Sequence, residues 1–235
     1  MARNRARNQF SVHGRIAGTR GRQRRCDPAL REVGRRLNKG MDPNDAYYDV
    51  FRPNRRKTIG RVEYYKGIMP MLEGLEGPFS RITYQEGNDF HEYQPKRGLN
   101  AIVHAFLRWY GNGMAFLHIY RNNDSSYRVY IPADLRHVAD IVNVLWRKTP
   151  SLTGFKLAGY EDADNRSDVI VAWVAAKDGV QSIGHGIATS WLHGMRPPGS
   201  TMITRGCQIG YSDEVKGSSV GSEVTRDLRS GKLKS

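Results

Sequence analysis

The clearest periodic signal in the chain begins at residue 99. In LNAIVHAFLRWYG, Leu99, Ile102, Val103, Phe106 and Leu107 fall on one helical face, which predicts a helix over 99–111. The next segment, GMAFLHIYRNNDSSYRVYIP, alternates instead. It predicts strands over 114–121 and 126–132, paired as a hairpin through the turn NNDS. ADLRHVADIVNVLWR returns to the helical period, with Leu135, Val138, Ile141, Val142 and Leu145 inward. TGFKLAGYE reads as a short strand. Beyond it, Val169 to Ala176 is apolar at every position, as a strand buried on both faces requires. DGVQSIGHGIATSWL predicts a helix with Val180, Ile183, Ile187 and Trp191 on one stripe. Gly184 and Gly186 either weaken it or allow close packing. RPPGS breaks the chain at 196–200, CQIGYSDEV predicts a last short strand, and the tail is polar. Helices alternating with strand pairs in this order predict an α+β fold: a mixed β-sheet with helices packed against one side.

Upstream the pattern is looser. DPALREVGRRL and MDPNDAYYDVF each open on Asp-Pro, at Asp27-Pro28 and Asp42-Pro43, the signature of a capped helix start. GIMPMLEGLEGP, 67–78, is punctuated by Gly and Pro and reads as a linker. Residues 1–26 show no sustained apolar period. Three regions result: a basic, disordered arm over 1–26, a helical or extended N-terminal region and linker over 27–78, and an α+β domain over 79–235. Deleting residues 1–61 is therefore expected to leave a folded domain.

Charge changes this picture only at the N-terminus. The net charge is +14, and residues 1–61 hold 17 Lys/Arg against five Asp/Glu, leaving the other 174 residues near neutral. Residues 1–26 contain eight Arg and no acid. Such a segment is a solvated tail, an export leader, or an arm that binds nucleic acid. In the last case Arg20, Arg22, Arg24 and Arg25 are the polyanion contacts. Affinity for polyanions through residues 1–61 should then fall steeply between low and moderate salt; a flat response in a titration would rule that contact out. No apolar stretch approaches the ~18 residues of a membrane helix, so no membrane association is expected. The two cysteines, Cys26 and Cys207, lie far apart, which favours a reducing compartment over a disulfide scaffold. No spacing resembles a zinc site, and no metal is expected.

From about residue 99 onward the chain resembles the HopA (HrmA, HopPsyA-type) effector family of plant-pathogenic bacteria, relatives of which occur beside kinases in peptide-modifying gene clusters for lanthipeptides and thioamitides. SSYRVYIPADLRHVADIVNVLWRK is similar to the family's Arg-bearing strand and helix. FKLAGYEDADNRSDVIVAWV resembles its Lys-bearing strand, acidic loop and Arg-x-Asp opening to an apolar strand. RPPG resembles its Pro-rich break, and IGYSDEVKGSSVG its Gly-x-Tyr-x-acid element followed by Ser and Gly. One departure stands out. Where the family carries an Arg about three residues after the last Gly, this chain has Val224, with Arg226 two later.

The resemblance implies a lyase that eliminates phosphate from phosphoserine or phosphothreonine in a peptide or protein, giving a dehydroamino acid. Such a reaction needs a base for the Cα proton and a cation or acid for the departing phosphate, and in principle no cofactor. Lys156, in GFKLAG, is the candidate base, because apolar surroundings or nearby arginines would lower its pKa. Arg128, in SYRVYI, alternates away from Tyr127, Val129 and Ile131 and is a candidate phosphate clamp. His118 is a candidate acid and Tyr211 a candidate substrate contact; packing in the core is the competing role of each. Arg166 and Asp168, two apart on one strand face, form either an ion pair that sets strand register or a pair in which Asp168 aims Arg166 at a phosphate. YGNGMAF, 110–116, lacks the spacing of a phosphate loop and joins a helix to a strand, so it reads as a turn. The partners implied are a phosphorylated peptide or protein, with a kinase or a secretion chaperone. The location implied is the cytoplasm, or a host cell reached through a dedicated secretion system. Two other functions stay open: an effector that binds host proteins without chemistry, and a nucleic-acid-associated protein acting through its Arg-rich N-terminus.

Overall fold

The computed structural model describes residues 27–51, 58–77, 79–86, 89–93, 99–112, 116–203, 208–215 and 218–232. The polyanion contacts expected at Arg20, Arg22, Arg24 and Arg25, and the arm over 1–26 that holds them, lie outside the described residues. So does the middle of the predicted 110–116 turn.

In chain order the elements are α1 (Pro28–Asn38), α2 (Pro43–Phe51), α3 (Arg61–Glu73), β1 (Arg81–Glu86), β2 (Asp89–Tyr93), α4 (Leu99–Asn112), β3 (Phe116–Tyr120), β4 (Tyr127–Ile131), α5 (Val138–Lys148), β5 (Leu152–Ala158), α6 (Tyr160–Asn165), β6 (Ile170–Val174), α7 (Lys177–Gly186), β7 (Thr201–Met202), β8 (Gly210–Asp213) and α8 (Val220–Arg229). The strands form one eight-stranded sheet in the order β2-β1-β3-β5-β6-β4-β8-β7. The α+β class holds. Each pairing in this sheet is antiparallel, however, where a mixed sheet was expected.

The predicted 114–132 hairpin is also corrected. β3 and β4 do not pair with each other, because the β5–β6 pair lies between them. The turn NNDS crosses the ends of that inserted pair. Arg121 and Asn122 donate backbone N–H groups to the Thr153 carbonyl, and Ser126 to the Val174 carbonyl. Turn chemistry and alternation specify two strands and a reversal between them; they do not say which strands become neighbours.

One face of the sheet carries the main core. Ile82, Leu117, Ile119, Val129, Phe155, Leu157 and Ala172 pack there with α3, α4, α5 and α7. The segment expected to link, 67–78, is for its first seven residues the second half of α3. Its Ile68 and Leu72 are fully buried, and Tyr64 anchors the helix by donating to the Ala158 carbonyl at 2.7 Å. α7 packs closely through Gly184, where a Cβ would lie 2.5 Å from an Ile203 methyl.

The opposite face is not bare, so helices lie on both sides rather than one. α1, α2 and α8 cover part of it with a second cluster: Leu30, Val33, Tyr47, Phe51, Val220 and Val224 against Tyr130, Val171 and Trp173. Asp27 caps α1 by accepting from Ala29 N at 3.1 Å and binds Arg196 at 3.0 Å, which ties the helix to the 196–200 break. Gly221, near the start of α8, lets this helix meet α2; a Cβ there would lie 2.9 Å from the Tyr47 ring. The uncovered part of this face is where polar residues gather.

Candidate functional site

Strand register brings the candidates together. On the second face one row reads Thr83, His118, Lys156, Val171, Tyr130 across five strands. The next row reads Arg81, Tyr120, Gly154, Trp173, Arg128, Ser212. His118 and Lys156 are thus direct cross-strand neighbours, the pairing at which side chains meet. Where the α1–α2–α8 cover ends, a cavity of about 190 Å3 opens. Lys156, Arg166, Asp168, His118 and Arg128 line it, together with Tyr47 and Tyr48 of α2 and the first residues of α8.

Lys156 and Arg166 share a platform. The Lys156 ammonium lies 3.8 Å, and the Arg166 guanidinium carbon 4.8 Å, from the centroid of the Phe116 ring. The ring's π-system attracts each cation. Burial pushes the Lys156 amine down to about 8. The carboxylate of Asp168 works against that shift, and the charges of Arg166 and Arg128 reinforce it.

The Arg166–Asp168 pair is formed, and it lines the cavity. Asp168 accepts from Nε of Arg166 at 2.9 Å and from a terminal nitrogen at 3.1 Å. Burial alone would raise Asp168, but the Arg166 and Lys156 cations hold it below its ordinary value. Burial opposes the Arg166 charge, and Asp168 more than offsets this, so Arg166 is raised. The Arg166 guanidinium carbon also lies 5.3 Å from the centroid of the Tyr48 ring. The two sequence readings of this pair are compatible: an ion pair that fixes the entrance to β6 also fixes the direction of Arg166.

Arg128 also lines the cavity, but its fork is engaged. Glu214 takes it in a bidentate pair at 2.7 and 2.6 Å, and the Ser218 carbonyl accepts a third bond at 3.1 Å. The clamp expected from Arg128 is therefore directed at protein in this structure. His118 is 5 % exposed. Burial and the Lys156 and Arg81 charges push it down to about 3, so at neutral pH it is an uncharged imidazole. Its Nδ1 lies 3.1 Å from the Tyr120 hydroxyl, and its Nε2 is buried without a protein partner. It can share a neutral N–H or a lone pair with a bound group.

Tyr211 does not join the site. Paired with Val129 in register, it points to the main core and packs edge-on to Tyr127. Val224 is 1 % exposed in the second cluster, on the side of α8 that packs on α1, and Arg226 points to solvent beside Asp227. Neither supplies a cation to the cavity. The N-terminus of α8 does face it: Ser219, which caps the helix by accepting from Ser222 N at 3.1 Å, is a lining residue with Val220 and Gly221. A helix start of this kind favours an anion. Tyr47, Tyr48, Phe51 and Phe116 were missed as site residues. The aromatic cluster in MDPNDAYYDVF was the available signal for the first three. Among the described residues no group of three or more His, Cys, Asp or Glu is placed to hold a metal ion.

No protein-family model and no curated protein matches the chain. Solved structures do. The fold is that of an effector protein from Pseudomonas syringae pv. tomato, at 12% identity and a TM-score of 0.61, with 88% of this chain and 86% of that chain covered. An effector protein from Pseudomonas syringae pv. syringae matches over the same shares with the same score, at 15% identity. The fold likeness covers 88% of this chain, so it reaches beyond residues 99–235. Among the described residues no helix is long and apolar enough to cross a membrane.

Proposed function

We propose that the chain is a bacterial effector-like lyase that eliminates phosphate from phosphoserine or phosphothreonine in a peptide or protein. The observation that carries this reading is the pairing of Lys156, whose amine is pushed down to about 8, with the Asp168-held Arg166 in one cavity. Arg166 and the start of α8 receive the phosphate. Lys156, as the free amine, takes the Cα proton. The Cβ–O bond then breaks, the Cα–H electron pair becomes the double bond, and the ester oxygen leaves with phosphorus. Overall one proton moves from Cα to phosphate, so the products are the dehydroamino acid and hydrogen phosphate. Neutral His118, across from Lys156, hydrogen-bonds the substrate without taking up charge. The two fold neighbours, both effector proteins, support a secreted protein acting in a host cell.

The pH dependence tests the base. Only the neutral amine accepts a proton, so turnover of a phosphothreonine peptide should rise about tenfold per pH unit below pH 8 and level off above it. The substrate phosphate, with a second pKa near 6, is mostly dianionic above about pH 7, so the amine is read between pH 7 and 9. Mass spectrometry following loss of phosphoric acid reads the rate. A profile flat from pH 7 to 9 would remove Lys156 from the role. No elimination from any phosphorylated peptide would favour an effector that binds without chemistry.

A further inference from the structure

The cavity does not end at His118. It continues into an open groove of about 680 Å3 over the uncovered part of the same sheet face. The two share Phe90, His118, Arg128 and Trp173. The groove crosses β2, β1, β3, β5, β6 and β4 and is bounded at one side by the 121–126 loop. Three of its residues carry a buried polar atom with no protein partner: Nε of Arg81, Nε2 of His118 and Oγ1 of Thr153. Buried polar groups are normally satisfied, so their concentration along one groove points to a ligand that supplies the matching groups.

The dimensions and charges narrow the ligand. Five strand spacings separate β2 from β4, about 24 Å in all, a distance that about seven residues of extended chain span. The charges are mixed in sign: Arg81 and Glu92 at one end, the Arg128–Glu214 pair at the other. A polyanion would meet carboxylates at both ends. A peptide main chain, with its own donors and acceptors in alternation, meets no such penalty. Arg81 is held over the Tyr120 ring with its guanidinium carbon 4.4 Å from the centroid, so its position is fixed before a ligand arrives.

We infer that this groove seats the extended peptide flanking the phosphorylated residue, and that Arg81 fixes the register of that peptide by donating to a main-chain carbonyl. The inference rests on the lyase reading above: the phosphorylated residue sits in the cavity and the chain leaves past His118. It makes the substrate a peptide segment rather than a free phosphoamino acid.

Two probes test it on the full chain. Both contain the phosphonate analogue of phosphothreonine, in which carbon replaces the ester oxygen so that elimination cannot occur. One is the single blocked residue; the other is a nine-residue peptide with the analogue at its centre between Ala, Ser and Gly. In calorimetric titrations the peptide should bind at least about tenfold tighter, a 1.4 kcal/mol step. Asn123→Trp places a bulky ring in the groove from an exposed loop, at no cost to the core. It should erase that gain and leave the single residue's affinity unchanged, and R81Q should reduce the gain severalfold. Equal affinity of the two probes, or a gain that survives Asn123→Trp, overturns the groove and leaves the lyase reading standing. If neither probe binds, both readings fall.

Discussion

Lys156→Met should lower the elimination rate by roughly 10²–10⁴-fold, the usual contribution of a positioned base, and leave phosphopeptide affinity within a few-fold of the parent. Met matches the length of the Lys stem and keeps the packing on the Phe116 ring, so the cavity wall survives. What is lost is the one amine in the cavity whose environment makes it a base near neutral pH. Burial supplies most of that shift, and two arginines add to it. Arg166→Met should behave oppositely, raising KM more than it lowers kcat, because Arg166 meets the phosphate before and during the reaction. It also leaves Asp168 buried without its bidentate partner, so its folding must be checked by denaturation. Single-turnover kinetics with a phosphothreonine peptide separates the two effects. A Lys156→Met protein that eliminates at the parental rate would end the mechanism proposed for it.

Much of this site is legible in sequence because strand alternation is a strict rule. Arg128 between Tyr127 and Val129, and Lys156 between Phe155 and Leu157, must oppose the core face, and they do. Arg166 and Asp168 also meet, but not by strand alternation: they lie in the bend before β6, which begins at Ile170 on the core face. Tyr211 obeys the same alternation, but its strand's pairing register was not legible, and Val129 opposite it belongs to the core. Three features lay beyond local pattern. The β5–β6 insertion between β3 and β4 depends on long-range pairing, so the hairpin reading failed although both strands were found. The occupation of Arg128 by Glu214 joins residues 86 apart. The contribution of α2 to the cavity was not legible because MDPNDAYYDVF has a weak apolar stripe. The β1–β2 hairpin was missed as well; β2 is exposed at four of its five residues, which removes the half-buried alternation that would mark it.

The chain lacking residues 1–51 should be inactive and should lose its cooperative unfolding transition, whereas a chain beginning at Asp27 keeps every described lining residue of the cavity and should stay active. The late start of the apolar periodicity and the charge map suggested that the first 61 residues are dispensable; the packing argues otherwise. Leu30, Val33, Tyr47 and Phe51 are each no more than 2 % exposed and cover Tyr130, Val171 and Trp173. Removing four such side chains forfeits about 6–12 kcal/mol of apolar burial, an upper estimate because unfolded chains bury some of that area already. That is comparable to the whole stability of a typical domain. The loss also reaches the chemistry. Ser167, between Arg166 and Asp168, donates its hydroxyl to the Phe51 carbonyl at 2.9 Å, and the Tyr48 ring lies near the Arg166 guanidinium. Without α2 the backbone carrying the ion pair is unanchored and the cavity floods, which weakens each electrostatic interaction inside it. Lys156 would then move back toward the pKa of an exposed amine and spend less time as a base. Thermal melts followed by circular dichroism, with elimination assayed on the same samples, check both consequences. A chain starting after Phe51 that melts cooperatively and retains parental activity would show that α1 and α2 merely decorate the sheet.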